Sequence, residues 1–333
     1  MGQSRLVFLC SSRKRENSEN IIELKEIKGK IRYEGKSSEE GDVALLIVNK
    51  FISFTWKMIS SFIAILFISC IPYLFDHFKP DFGHYLQKII ELFSSVTSLE
   101  NLEFSTGRNV FRPIFPTILP PLRESLILVG GSLLLSMVIS LMIAFLIVNL
   151  HKKRIRVFQE IFTYIQAVPD IFYIISLQIL IVWLYQKTNI QFFNFASFGE
   201  EQAIFLPILS LSITPIMIMT KLLISQILEE LTKSYTNLAL AKGLSFKRMI
   251  FVHVLRNTIY SLFHYSKTII LFFLTNLLIV EYLFNIPGIM SFILQYPYPE
   301  VFFIGIMLIY YPIFLLFQCY ELFVPKVIKE GGS

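Results

Sequence analysis

Two acidic residues interrupt stretches that otherwise suit hydrocarbon. Asp170 follows Pro169 in "AVPDIF", and Glu281 stands in "IVEYLFNIPGI". An ionisable group inside a membrane span is expensive unless it reaches the interface or faces a polar interior, where it can serve a gate or a solute path. Both readings are open for both residues. A third stretch, "LALAKGLSFKRMIFVHVLRN" at 238–257, is polar, basic and broken by a glycine. Catalytic signatures are missing from the sequence: it holds no HExxH, no GxSxG and no G-x-x-x-x-G-K-[ST]. The chain is therefore expected to be no enzyme and to hydrolyse no ATP itself. The five histidines are scattered, and Cys10, Cys70 and Cys319 show no CxxC spacing. Neither a metal site nor a disulfide framework is expected.

The elements that carry these residues follow from composition. Of 333 residues, 54% are hydrophobic and 16% charged, with 33 Phe. Soluble proteins carry about 25% charged residues, so lipid is the expected solvent. Residues 1–47 differ, being rich in Lys, Arg, Glu and Ser. They read as a cytoplasmic extension of uncertain order, with no signal-type apolar region near Met1. Six apolar stretches follow, at 58–75, 125–148, 161–185, 203–224, 266–284 and 301–323. Each is close to the ~20 residues a helix needs to cross the bilayer. Helix is the expected form, since a lone segment in lipid must satisfy its own backbone. The fold class is thus all-α, with about six transmembrane helices.

Charge orients them. With the N-terminus inside, the cytoplasmic segments include "HKKRIRVFQE" and a loop holding Lys233, Lys242, Lys247, Arg248 and Arg256, whereas outside segments 186–202 and 285–300 hold only Lys187. The bias places both termini in the cytoplasm. It also argues against nucleic acid, because the basic residues sort by membrane side rather than along one stripe. The long outside segment, about 76–123, contains a helical-looking "HYLQKIIELFSSV" and a proline-bent run into the second span. Gly130-Gly131-Ser132 inside that span read as close helix packing.

The basic loop has helical periodicity. Leu231, Tyr235 and Leu238 recur at i, i+4, i+7, and Phe246, Met249, Ile250, His253 and Val254 share a second face. Gly243 suits a left-handed C-cap and Ser245 an N-cap, which predicts two short helices joined by a sharp turn. Such a unit could rest on anionic lipid, pack against its own spans, or dock in the cleft of a soluble partner.

These residues also carry a resemblance. "YTNLALAKGLS…HVLRN" is similar to the cytoplasmic EAA-type loop of ATP-binding cassette (ABC) importer permeases, nearest to the oligopeptide/dipeptide/nickel group. The matching positions are Ala239, Ala241, Lys242, Gly243, Leu244, Ser245, His253, Leu255, Arg256 and Asn257. A second segment resembles the family's V-E-x-x-F-x-x-P-G through Val280, Glu281, Phe284, Pro287 and Gly288. The likeness covers roughly 48–327, leaving a tail at 328–333. There are departures: Leu240 replaces the usual Arg, Asn237 replaces the general motif's Glu, and Val324-Pro325-Lys326 replaces the usual "DPR".

The resemblance implies a type I importer permease in a prokaryotic plasma or inner membrane. Its implied partners are a second, similar permease, two ATPase subunits that carry the ATP and Mg, an extracytoplasmic binding protein, and membrane lipid. No cofactor would be bound by this chain. The loop around Gly243 would be the coupling element, and Pro169, Asp170, Glu281, Phe284, Pro287 and Gly288 would belong to the path or gate. The implied cargo is a peptide; a nickel or metallophore permease and a transport-inactive scaffold are the alternatives.

Overall fold

The computed structural model describes residues 48–76, 79–97, 102–106, 110–191, 193–197 and 202–323. The predicted N-terminal extension at 1–47 and the tail at 328–333 lie outside the described residues. Two compact units divide the chain, Met1–Ala64 and Ile65–Ser333. Of the first unit, only residues 48–64 are described, all helical.

Among the described residues, six helices are long and apolar enough to cross a membrane: Val48–Ser69, Leu119–Val148, Asp170–Thr188, Phe205–Glu230, Tyr265–Leu283 and Pro299–Cys319. Several boundaries differ from those read off hydropathy. The first helix, α1, is described over Val48–Ser69, and Lys50 and Lys57 lie exposed on it. It stops before Pro72, whose ring opens a 3-10 turn at Ile71–Leu74. A short hairpin, β1 (Phe75–Asp76) with β2 (Lys79–Pro80), then leads to helix α2 (Phe82–Thr97). A second hairpin pairs β3 (Glu103–Ser105) with β4 (Phe111–Pro113), followed by the turn α3 (Ile114–Thr117). The predicted helix and bent extended run therefore both appear here.

The second span is α4 (Leu119–Val148), six residues longer at its start than expected. Pro120 and Pro121 fall in its first turn, where a missing N–H has no intrahelical acceptor to lose. The third span is α6 (Asp170–Thr188), which starts nine residues later than expected. α5 (Lys152–Gln166) precedes it across a break at 167–169. Pro169 disfavours helix at Val168 and takes the extended N-cap position, so the chain restarts at Asp170. α7 (Phe205–Glu230) carries Pro215 inside it.

The largest departure lies in the loop. α8 (Ser234–Ala241) is the expected first short helix. The second is not a separate helix. α9 (Phe246–Met249) passes through a π segment, Ile250–Val254, directly into α10 (Leu255–Leu283). Residues 246–283 form one rod, roughly 55 Å long at 1.5 Å per residue. α11 (Ile289–Gln295) and α12 (Pro299–Phe323) complete the chain as described.

The core forms where α4, α7 and α10 meet, around Leu128, Leu211, Leu223, Phe273 and Leu277. α4 and α7 run in the same direction with small residues between them. Ser132 Oγ donates to Ile208 O and Ser212 Oγ to Ser132 O, each at 3.2 Å. Ser136 Oγ reaches Ser212 O at 3.4 Å. A Cβ on Gly131 would lie 2.7 Å from Ile208 Cδ1. The close packing expected of Gly130-Gly131-Ser132 holds at Gly131 and Ser132, whereas a Cβ on Gly130 would meet nothing within 4 Å; Ser132, Ser136, Ser140 and Ala144 extend the seam at four-residue spacing.

Candidate functional site

The loop after α7 is shaped by its glycine. Gly243 has φ +83°, and nothing lies within 4 Å of where its Cβ would stand. Its requirement is thus conformational rather than steric. Gly243 N–H donates to Leu240 O at 2.9 Å, and Leu244 N–H to Ala239 O at 3.3 Å. This paired return satisfies the last carbonyls of α8 and turns the chain sharply. Ser245 takes the N-cap position of α9 in extended conformation, without a side-chain capping bond.

One surface of the loop packs inward. Ala239, Met249, Ile250 and Val254 join the core, with Leu231 and Leu244 half-buried against them. The other surface stays open: Leu238, Leu240 and Phe246 are exposed, beside exposed Ala241, Lys242, Lys247 and Arg248. The expected apolar faces therefore split. Leu238 turns outward while Thr236 and Ala239 turn in, and Phe246 and His253 are exposed while Met249, Ile250 and Val254 are buried. The π segment, Ile250–Val254, rotates His253 away from the Met249 face.

A polar knot ties this loop to the bundle. Glu230, at the end of α7, pairs with Lys233 Nζ at 2.6 Å and accepts a hydrogen bond from the Tyr235 hydroxyl. Asn257 Nδ2, in the first turn of α10, donates to Glu230 Oε2 at 3.2 Å and lies 3.3 Å from the Tyr235 oxygen. Burial and the Glu230 hydrogen bond push the Tyr235 phenol up to about 12. Asn257 thus pins the start of α10 to the end of α7 and the start of α8. Leu255 is half-buried and Arg256 exposed on either side of that turn. Glu230 escaped the sequence reading; its i,i+3 spacing to Lys233 was the available signal.

α5 and α6 run antiparallel to α7, with a line of polar contacts along one face. Gln159 Nε2 donates to Ser225 Oγ at 3.2 Å, Lys221 Nζ to Thr163 Oγ1 at 2.8 Å, and Thr214 Oγ1 to Asp170 Oδ1 at 2.5 Å. Each step toward the break along α5–α6 matches an equal step back along α7. At the break, Ala167 N–H donates to Tyr164 O at 3.2 Å, Val168 N–H to Ile165 O at 3.1 Å, and Tyr173 OH to Ile165 O at 2.5 Å. These bonds satisfy carbonyls that the missing turn leaves open. Asp170, the first residue of the third span, is half-buried on this line.

Glu281 has a different setting. It is fully buried (0% exposed) at the far end of α10. Ser125 Oγ donates to Oε1 at 2.5 Å, and Ser291 N–H donates to Oε2 at 2.8 Å. Ser125 Oγ in turn accepts Ile289 N–H at 2.7 Å. The carboxylate and the hydroxyl together cap the N-terminus of α11, where unpaired N–H groups and the helix dipole favour negative charge. A Cβ on Gly288 would collide with the Glu281 carboxylate. Glycine is needed there for close approach, since φ −88° and ψ 178° suit any residue. Phe284 is fully buried, and its carbonyl accepts Ser197 N–H at 2.8 Å. Asn285 takes φ 52° and its Nδ2 donates to Ser197 O at 2.9 Å. Gln178 Nε2 of α6 donates to Leu283 O at 3.0 Å. Beside this junction lies an open cavity of about 540 Å³ lined by Gln202, Tyr282, Asn285, Pro287, Ser291 and Gln295, among others.

The second motif thus gathers Glu281, Phe284, Pro287 and Gly288 at one junction, and the loop motif gathers at the other end of the same helix. Asn257 and Glu281 stand about 36 Å apart at 1.5 Å per residue. Pro169 and Asp170 belong to neither cluster.

Residues 136–329 match the family described as "Binding-protein-dependent transport system inner membrane component". The chain is 31% identical over 109 residues to the dipeptide transport system permease protein DppB of Lactococcus lactis subsp. cremoris (strain MG1363), covering 33% of this chain and 36% of that protein. It is 30% identical over 148 residues to DppB of Bacillus subtilis (strain 168), covering 42% of this chain and 47% of that protein. With DppB of Haemophilus influenzae (strain ATCC 51907 / DSM 11121 / KW20 / Rd) it shares 33% over 94 residues, 28% of each. The chain spans less than half the length of each of these three relatives in the matched regions. The six apolar helices and the match over 136–329 make it a multi-pass membrane protein, and it belongs to the family of inner membrane components of binding-protein-dependent transport systems.

Proposed function

We propose that this chain is the transmembrane permease subunit of an ABC importer for peptides. The observation that carries the reading is the single rod of residues 246–283. It starts in the exposed basic loop and ends at the buried Glu281 junction. A soluble ATPase subunit that grips the loop would move one end of this rod. Leu238, Leu240 and Phe246 supply an apolar surface for its cleft, and Lys242, Lys247 and Arg248 pair with acidic residues on the cleft rim. Gly243 sets the angle of the loop, exposed Ala241 allows close approach, and buried Ala239 seats the loop on the bundle. The Asn257–Glu230–Tyr235–Lys233 knot passes loop movement to α7 as well as α10.

A second, similar permease completes the path, two ATPase subunits hold ATP and Mg, and an extracytoplasmic binding protein delivers cargo. Both termini are cytoplasmic, as the Lys/Arg bias supports. The third span, with Asp170 at its start, faces the solute route, and the Glu281 junction shapes its outer end. The peptide assignment follows the dipeptide systems named for the relatives.

The test is reconstitution of the chain with its partner subunits in proteoliposomes. ATP-dependent uptake of a labelled dipeptide supports the reading. Uptake of a nickel chelate without dipeptide would overturn the cargo, and ATP hydrolysis with no uptake of either would overturn transport. Gly243→Pro is expected to leave the protein inserted while separating hydrolysis from uptake.

A further inference from the structure

Helix α2 is not one of the six spans, and its surface divides into three sectors. Leu92, with Tyr85, Lys88, Ile89, Ser95 and Val96, faces the protein, with Leu92 almost fully buried. Phe82, Leu86, Ile90 and Phe93 form an adjoining sector that is apolar yet 65%, 54%, 69% and 54% exposed. At 100° per residue these four fall within roughly 80° of arc. His84, Gln87, Glu91 and Ser94 fill the remaining exposed sector with polar groups.

Its level in the molecule is fixed by named contacts. Tyr85 OH donates to Phe67 O at 3.0 Å, two residues before α1 ends, and the Phe67 and Tyr85 rings lie 6.3 Å apart. Tyr73, in the turn that leaves α1, stacks on His84 at 5.8 Å, and Lys88 Nζ lies 5.6 Å over the Tyr73 ring. The packed side of α2 also meets α12, and Lys88 lies near Glu300 in the first turn of that helix. α2 therefore sits where two spans leave the hydrocarbon. Phe67, Ile68, Ile71 and Phe75, at and just after the end of α1, are exposed as well.

We infer that α2 is an in-plane interfacial helix, with Phe82, Leu86, Ile90 and Phe93 seated in the acyl–headgroup boundary of the bilayer. A helix at that boundary needs one apolar sector for lipid and one polar sector for water. α2 has both, and its third sector is spent on the protein. A fully soluble element would not keep four large apolar side chains on one exposed strip. Seated this way, α2 holds the outer cap at a fixed height. The cap includes Phe104 of β3, whose ring lies 5.5 Å from Phe292 and 4.8 Å from Tyr296 around α11.

Spin labels on single cysteines at 82, 86, 90 and 93, and at 84, 87, 91 and 94, test this in lipid nanodiscs. The background is the full chain with Cys10 and Cys319 replaced by Ser; Cys70 is buried. Collisions with oxygen and with a water-soluble nickel chelate are compared, in the isolated permease and in the assembled transporter. The expected result is a several-fold higher oxygen-to-nickel ratio at the first four positions than at the second four, in both samples. Nickel access at both sets would overturn the proposal and leave the stripe open to a soluble protein. Exclusion of both reagents from the first set would overturn it in favour of a protein cover.

Discussion

Gly288 and Glu281 make a prediction that stability measurements can isolate. The backbone at 288 suits alanine, so the only penalty of Gly288→Ala is the collision of the added Cβ with the Glu281 carboxylate. That carboxylate cannot swing aside cheaply, because Ser125 Oγ and Ser291 N–H hold its two oxygens. Displacing it weakens two hydrogen bonds to a charged group, each worth ~1.5–3 kcal/mol. Gly288→Ala should therefore cost about 2–4 kcal/mol when relaxation recovers part of the loss. Glu281→Ala should cost a similar amount, since it strips the N-terminus of α11 of its acceptor. The double variant is the decisive one. Once the carboxylate is gone, the new methyl group has nothing to strike, so Gly288→Ala should add less than about 0.5 kcal/mol in the Glu281→Ala background. Unfolding of the four proteins in mixed micelles, titrated with a denaturing detergent, gives the cycle. A coupling near 2–3 kcal/mol fits the argument, whereas additive losses would refute the claim that glycine serves the carboxylate. Glu281→Gln should be mild, because an amide can still accept from Ser291 and donate to Ser125.

Three further outcomes follow from the geometry. At Gly243 the penalty is the left-handed φ alone, so Gly243→Ala should cost about 1–2 kcal/mol, and Gly243→Asn, which visits that region more readily, should cost less; hydrogen exchange of the Gly243 and Leu244 amides reads this directly. The Tyr235 phenol is held up to about 12, so the stability it contributes is intact below pH ~10 and is lost as pH rises through the folded value. Tyr235→Phe should remove that alkaline loss in thermal melts from pH 9 to 12, and an unchanged slope would mean the knot does not form. Ser136→Leu should separate α4 from α7 and cost about 1–3 kcal/mol, whereas Ser136→Ala, which keeps the small volume, should cost under about 1.5 kcal/mol in the same melts.

Much of the architecture could be read from the residues, for identifiable reasons. Lipid leaves helix as the only form for a lone span, so six apolar stretches became six helices. Gly243 announced its turn because a left-handed residue is chemically conspicuous. Other features depend on distance in space. A hydropathy window averages across 161–185 and hides the break that Pro169 makes. By sequence the second loop helix ends before the fifth span, because polar residues such as Arg256 and Asn257 intervene; one belongs to a knot with Glu230, 27 residues earlier. Glu281 reads, by sequence, as a group reaching water or lining a path. Its cap role becomes visible only with Ser125, 156 residues away, and the close approach of Gly288. The lipid-facing stripe of α2 depends on which third of the helix the protein covers, and no periodicity states that.

The rod of residues 246–283 is the centre of the account, and one distance tests it. Spin labels at Lys247 and Tyr282, both exposed, stand roughly 50 Å apart at 1.5 Å per residue. Pulsed electron–electron resonance on the assembled transporter should give the same narrow distribution without nucleotide and with trapped ATP. A shift of several ångströms between the two states, or a broad distribution in either, would mean that the π segment bends and that the loop does not drive the far junction through this helix.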